Sequence, residues 1–200
     1  MPPRNQQRRD LLADAAIDII VLEGLHGLSH RAVDLRADVP RGTTSNYYRS
    51  RESLLEAVVQ RIVDLHFALI DDLRGRRSEK PDRAGLIEIL GDVVEQALSR
   101  FRGRYVAMFE LSLESTRRPE LQEAFARISG EAMRLTREAH RTGDGDEPLA
   151  KEIALLNAFY NGVLFTALVM PQTLGGRTPG EVTRAMLRLV LDQPRESQLQ

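Results

Sequence analysis

The chain of 200 residues contains no cysteine and no tryptophan, and aromatic residues make up only 5% of it. Without cysteine there is no disulfide framework, no thiolate zinc site and no cysteine nucleophile. Lysine is almost absent as well: of 28 basic residues, only Lys80 and Lys151 are not arginine. The opening MPPRNQQRRD has no apolar stretch and does not read as a secretory signal, so a reducing cytoplasm is the expected compartment. No window sustains the alternation of a β-strand. His26, His30, His66 and His140 show no metal-ligand spacing. No catalytic signature, metal site or cofactor is expected.

What is present is helical periodicity. Leu12, Ala15, Ala16, Ile19 and Leu22 form a stripe that Gly24 and Gly27 end. Ser29 fits the N-cap of a short helix running to about Ala37, and Asp38 and Pro40 break it. A third short helix starts near Thr43. Ser50 caps a long fourth one, with Leu54, Leu55, Val58, Val59, Ile62, Val63, Phe67 and Ile70 on its apolar side. Beyond a charged loop at 75–81, further helices are expected over 82–100, 104–115, 119–140, 148–170 and 178–191. The fold class is all-α with about nine helices, divided as 1–50, a connecting 51–81, and 82–200.

The net charge of −1 hides an uneven distribution: residues 29–51 hold five Arg against two Asp. Inside that stretch, Arg41-Gly42-Thr43-Thr44-Ser45-Asn46-Tyr47-Tyr48-Arg49 offers hydroxyls, an amide, phenols and guanidinium groups where a packed helix would carry aliphatic side chains. Such groups suit phosphates and base edges. A helix-turn-helix sets its second helix in the major groove, and Arg31 and Arg41 are then able to reach guanine. Gly42, Thr43, Thr44, Ser45 and Asn46 lie along the start of that second helix, and Tyr47 and Arg51 are suited to clamp the backbone.

The residues Leu28-Ser29-His30-Arg31-Ala32-Val33, Gly42-Thr43, Tyr47-Tyr48, Arg51 and Leu54 resemble the N-terminal domain of the TetR family of transcriptional regulators. Its pattern runs Leu-Thr/Ser-x-Arg-x-Val/Ile, a turn, then Gly-Thr-x-x-x-His/Tyr-Phe/Tyr-x-x-Lys/Arg-x-x-Leu. The resemblance implies base reading by Arg31 and Arg41, helix-start contacts by Gly42 and Thr43, phosphate contacts by Tyr47 and Arg51, and a core position for Tyr48. Arg4, Arg8 and Arg9 are candidates for backbone or minor-groove contacts, although solvated tail charges account for them more simply. The chain departs from the family at Asp38, where Gly is common, at Pro40, where Ser is common, and at Thr44-Ser45, which replace a frequent Leu-Tyr pair.

The remainder holds weaker signals. Glu110 and Glu114, one helical turn apart, are a possible acid–base pair, although solvated or ion-paired carboxylates account for them more simply. The stretch Thr142-Gly143-Asp144-Gly145-Asp146 lacks the oxygens of a calcium loop and reads as a turn. Residues 153–170 approach membrane-spanning length, but Asn157, Asn161 and Thr166 interrupt them, and burial on two sides is the simpler reading. Val182, Ala185, Met186, Leu189 and Val190 stripe the last helix. The resemblance implies a homodimer through 148–170 and 178–191, a palindromic double-stranded DNA operator, and a small-molecule effector. It also implies a ligand pocket, for which Phe101, Tyr105, Met108, Phe109, Phe125, Asn157 and Asn161 are candidates. An all-helical enzyme and a protein-interaction module remain the alternatives.

Overall fold

The structure is a computed structural model that describes residues 3–76, 81–139 and 150–191. His140, the expected turn at 142–146 and Pro148 lie outside the described residues, as does the side chain of Arg4. Nine α-helices are described: α1 Pro3–Gly27, α2 His30–Arg36, α3 Thr43–Tyr47, α4 Arg51–Gly75, α5 Arg83–Ser99, α6 Arg102–Ser115, α7 Pro119–Ala139, α8 Ala150–Val169 and α9 Pro179–Leu191. No strand occurs among the described residues, so the all-α expectation holds.

Helix ends follow local chemistry. Gly24, at φ 72°, takes a conformation that breaks α1 before its last turn. The Ser29 Oγ accepts the amide of Ala32 at 3.1 Å and starts α2. Ser50 and Ser53 cap α4 reciprocally, each hydroxyl accepting the other's amide at 3.1 Å. Asp82 caps α5 through the Gly85 amide. Thr178 and Glu181 form the same kind of box at α9.

The chain divides into two compact units. The first comprises 1–68 with 101–135, and so holds α1 to α3, most of α4, α6 and most of α7. Its core joins Leu12, Ala16 and Ile20 of α1 to Val33, Leu54, Leu55, Val58, Ile62, Ala107, Leu111, Leu121 and Ile128. Leu22, placed on the inward stripe by spacing alone, is 68% exposed, and the buried position is Ile20. Residues 101–135 group with the N-terminal helices, so the stretch 82–200 does not form one compact unit.

The second unit comprises 69–100 with 136–200. Leu86, Ile87 and Leu90 of α5 meet Ile153 and Leu156 of α8 and Leu187 of α9. Gly91 lets α5 and α9 approach, because a Cβ there would lie 2.6 Å from the Arg184 side chain. Arg184 pairs with Glu88 at 2.7 Å and with Asp92, and Arg188 reaches Glu88 at 2.9 Å. On α8, residues 152–169 are apolar enough to cross a membrane by length and composition, with a mean hydropathy of 1.5. Only 22% of that window is buried within the chain. Leu155, Ala158, Gly162, Phe165 and Val169 are all exposed, and their alternating spacing of three and four puts them on one face.

Candidate nucleic-acid interface

A helix as short as α3 does not persist on its own local hydrogen bonds. Asp34 of α2 holds it. The Asp34 carboxylate is 4% exposed and accepts the Gly42 amide at 2.6 Å, the Thr44 amide at 2.7 Å and the Thr44 hydroxyl at 2.6 Å. Burial alone would raise its pKa; the Thr44 hydroxyl and the two amides outweigh that and hold it below the ordinary aspartate value. The turn between the helices needs two left-handed residues, Asp38 at φ 51° and Gly42 at φ 90°. Asp38 tolerates this conformation, which explains how it stands where the family often has glycine.

Thr44 must be removed from the expected contact residues. It is fully buried and its hydroxyl is directed at Asp34, so it faces inward. Arg31, Arg41, Ser45 and Asn46 are exposed, while Gly42, Thr43 and Tyr47 are half-buried. The Thr43 hydroxyl donates to the Pro40 carbonyl at 2.5 Å. Tyr48 is core, as expected: its hydroxyl donates to the Arg9 carbonyl at 3.3 Å and its own carbonyl meets His30 Nε2 at 2.7 Å. A carbonyl only accepts, so that His30 nitrogen carries the proton.

Arg51 has a structural role that the sequence did not indicate. Its guanidinium is half-buried and donates to the Leu25 and Leu28 carbonyls, capping the end of α1. These two bonds use only part of the five-donor fork of an arginine side chain. Arg9, read from sequence among tail charges, is fixed instead: its guanidinium lies 5.6 Å from the Tyr47 ring centroid and 5.4 Å from that of Tyr48.

The expected pocket residues fall in both units. In the first, Tyr105 is buried and its hydroxyl meets Nδ1 of His66 at 2.7 Å. Burial pushes the Tyr105 phenol up and His66 down to about 4, so both are neutral at physiological pH. Met108 and Phe125 are partly buried against the same unit's core, Phe109 is half-buried, and the Phe101 ring carries Arg104 at 4.1 Å. In the second unit, the Asn157 side-chain amide donates to the Ile153 carbonyl at 2.9 Å, and its oxygen accepts from Thr136 at 3.4 Å. Asn161 is exposed and donates to the Asn157 carbonyl at 2.9 Å. Nothing in the spacing of residues 66 and 105 signals that they meet. The role of Asp34 and the stacking of Arg9 on Tyr47 and Tyr48 were equally invisible in the sequence.

Glu114 is ion-paired with Arg118 and Arg117, and the Arg118 hydrogen bond holds its pKa below the ordinary glutamate value. A carboxylate so held is poorly suited to deliver a proton near neutrality. Among the described residues, no group of three His, Cys, Asp or Glu side chains could hold a metal.

A helix-turn-helix near the start of a chain, followed by an entirely helical body, defines the class of one-component helical transcriptional regulators. Residues 81–193 match the family model described as tetracyclin repressor-like, C-terminal domain, and the chain belongs to the TetR family of transcriptional regulators. No curated protein matches the sequence. Among solved structures it is similar to SCO7518 of Streptomyces coelicolor A3(2), with a TM-score of 0.69 at 24% identity over 92% of this chain and 98% of that one. It is similar to SCO1917, a TetR-family member from the same organism, with a TM-score of 0.64 at 23% identity over 94% and 98%. It is also similar to the multidrug binding protein EbrR complexed with imidazole, with a TM-score of 0.65 at 26% identity over 95% and 96%.

Proposed function

We propose that the chain is a homodimeric repressor that binds a palindromic DNA operator in the cytoplasm and is released from it by a small molecule. The observation that carries this reading is the exposure of Ser45 and Asn46 on a helix that a buried carboxylate fixes in place, with Arg41 exposed just before that helix and Arg31 exposed on α2. Arg31 and Arg41 read base edges, Ser45 and Asn46 supply short polar contacts, and Gly42 and Thr43 bring the helix start close to the duplex. Residues 1–50 form the DNA-binding part, 51–81 the connection, and 82–200 the effector and dimer part, with α6 and most of α7 packed beside the N-terminal helices.

The exposed stripe on α8 supports dimerisation. So does α9, where Leu187 and Thr183 are buried while Leu189 is exposed and Val182, Ala185 and Met186 are half-buried. Two half-sites related by a two-fold axis give the specificity that one recognition helix lacks. An effector role is supported by the family and by EbrR, a multidrug binding protein solved in complex with imidazole. The neutral His66–Tyr105 pair of the first unit offers such a molecule a hydrogen bond without a charge. His66 lies on α4, whose residues belong partly to each unit, so an effector that prefers one arrangement of α4 shifts the population that binds DNA.

Selection of bound duplexes from a random pool tests the reading. The expected product is an inverted repeat; Arg41→Ala relaxes its base preference, and Ser45→Ala or Asn46→Ala weakens binding. Recovery of no enriched sequence, or of a single unsymmetrical half-site, overturns it.

A further inference from the structure

Arg9 sits at the N-terminal part of α1, yet its side chain belongs to the end of α3. It stacks on both Tyr47 and Tyr48, and the Tyr48 hydroxyl ties the same residue's carbonyl from the other side. Its Nε is closed off from solvent and meets no hydrogen-bond acceptor among the described residues. The acids that could neutralise it are engaged elsewhere: Asp10 pairs with Arg61 at 3.3 Å and Asp14 with Arg61 at 2.8 Å. A guanidinium thus lies against two aromatic faces, one of them the half-buried Tyr47, with no carboxylate at ion-pair distance among the described residues. Arg51, the residue whose motif position would serve a phosphate, directs one N–H of each terminal nitrogen to the Leu28 and Leu25 carbonyls.

We propose that Arg9 and Tyr47 together form a phosphodiester-binding site, in which Arg9 supplies the cation. This rests on the DNA-binding reading and adds a contact residue to it. The aromatic stack fixes the guanidinium before DNA arrives, so little side-chain freedom is lost on binding. The contact is with the backbone and carries no base preference.

The test uses the full chain, an operator duplex recovered by selection, and a scrambled duplex of equal length. Affinity is measured over a range of salt concentrations, with thermal unfolding followed in parallel. Neutralising one phosphate contact per subunit lowers the magnitude of the slope of log K against log salt by about 0.9 each, roughly two for a dimer. Arg9→Met, which keeps the stem against the rings, is expected to show that loss and to weaken operator and scrambled duplex by the same factor. Arg9→Gln serves as a second neutral variant should the first fail to fold. Arg9→Lys restores the slope. A folded Arg9→Met or Arg9→Gln with the wild-type slope overturns the phosphate site while leaving DNA binding intact. Failure of the wild-type chain to bind any duplex overturns both.

Discussion

Burying a carboxylate is costly unless donors meet it, and in Asp34 three do. Replacing Asp34 by Ala leaves the Gly42 and Thr44 amides without their acceptor, at roughly 1–3 kcal/mol for each unsatisfied group. We therefore expect Asp34→Ala to lower unfolding stability by about 2–5 kcal/mol in urea titrations, and to abolish operator binding even where the protein remains folded. Thr44→Val should lose less and Thr44→Ser almost nothing, because serine keeps the hydroxyl. The pH dependence has a definite sign. The folded Asp34 carboxyl titrates below its unfolded value, so its contribution is complete above the unfolded pKa and is lost as pH falls through the folded one. The stability gap between wild type and Asp34→Asn should consequently be constant near neutrality and narrow only in strong acid. Sequence reading marked Thr44 and Ser45 as the worst fit to the family pattern. It could not assign Thr44 to the interior, because the residue that explains it sits ten positions earlier on another helix.

At the level of elements, what was legible was what neighbours in the chain determine. Ser29 and Ser50 mark helix starts, Gly24 marks a break, and Asp38 marks a left-handed turn, all through chemistry within a few residues. Which helices share a core is a matter of face against face, and periodicity does not encode it. The grouping of 101–135 with the first helices escaped for this reason, and so did the meeting of His66 on α4 with Tyr105 on α6. That pair predicts an acid-sensitive fold. His66 titrates in the folded chain at about 4, below the ordinary histidine value, so the unfolded chain takes up the proton first. Stability should be full above about pH 6.5 and decline as pH falls from there toward 4. Urea midpoints across that range should fall further for wild type than for His66→Phe; equal declines would remove His66 as the cause. Arg51 yields a different expectation at the same scale. Arg51→Met leaves two carbonyls at the end of α1 without their donor and should destabilise the chain by about 1–3 kcal/mol in thermal or urea unfolding.

For the whole molecule, the question is what covers α8. The sequence already showed a helix apolar on nearly every side, and from that alone a membrane span and a subunit interface are hard to separate. The exposed positions follow one stripe instead of surrounding the helix, which is the pattern the proposed subunit interface requires. Leu155 is 64% exposed and Val169 58%, with Ala158 and Gly162 between them, while Ile153, Leu156, Val163 and Leu164 turn inward. Small residues at the centre of a stripe let two helices approach closely, and Gly162 faces open space in the single chain: apart from its own stretch of helix, no atom of the described residues lies within 4 Å of a Cβ built there. An arginine at that position therefore costs the monomer little. In a two-fold dimer it brings two like charges together on the axis. Gly162→Arg should sediment as a monomer with helical content and melting of its core intact, and its operator affinity should fall on the order of a hundredfold or more, since each half-site is then bound alone. Leu155→Glu should do the same, since each buried leucine contributes about 1.5–3 kcal/mol and symmetry counts it twice. A Gly162→Arg protein that still sediments as a dimer would place the two-fold contact elsewhere and leave the exposed stripe of α8 for a different partner.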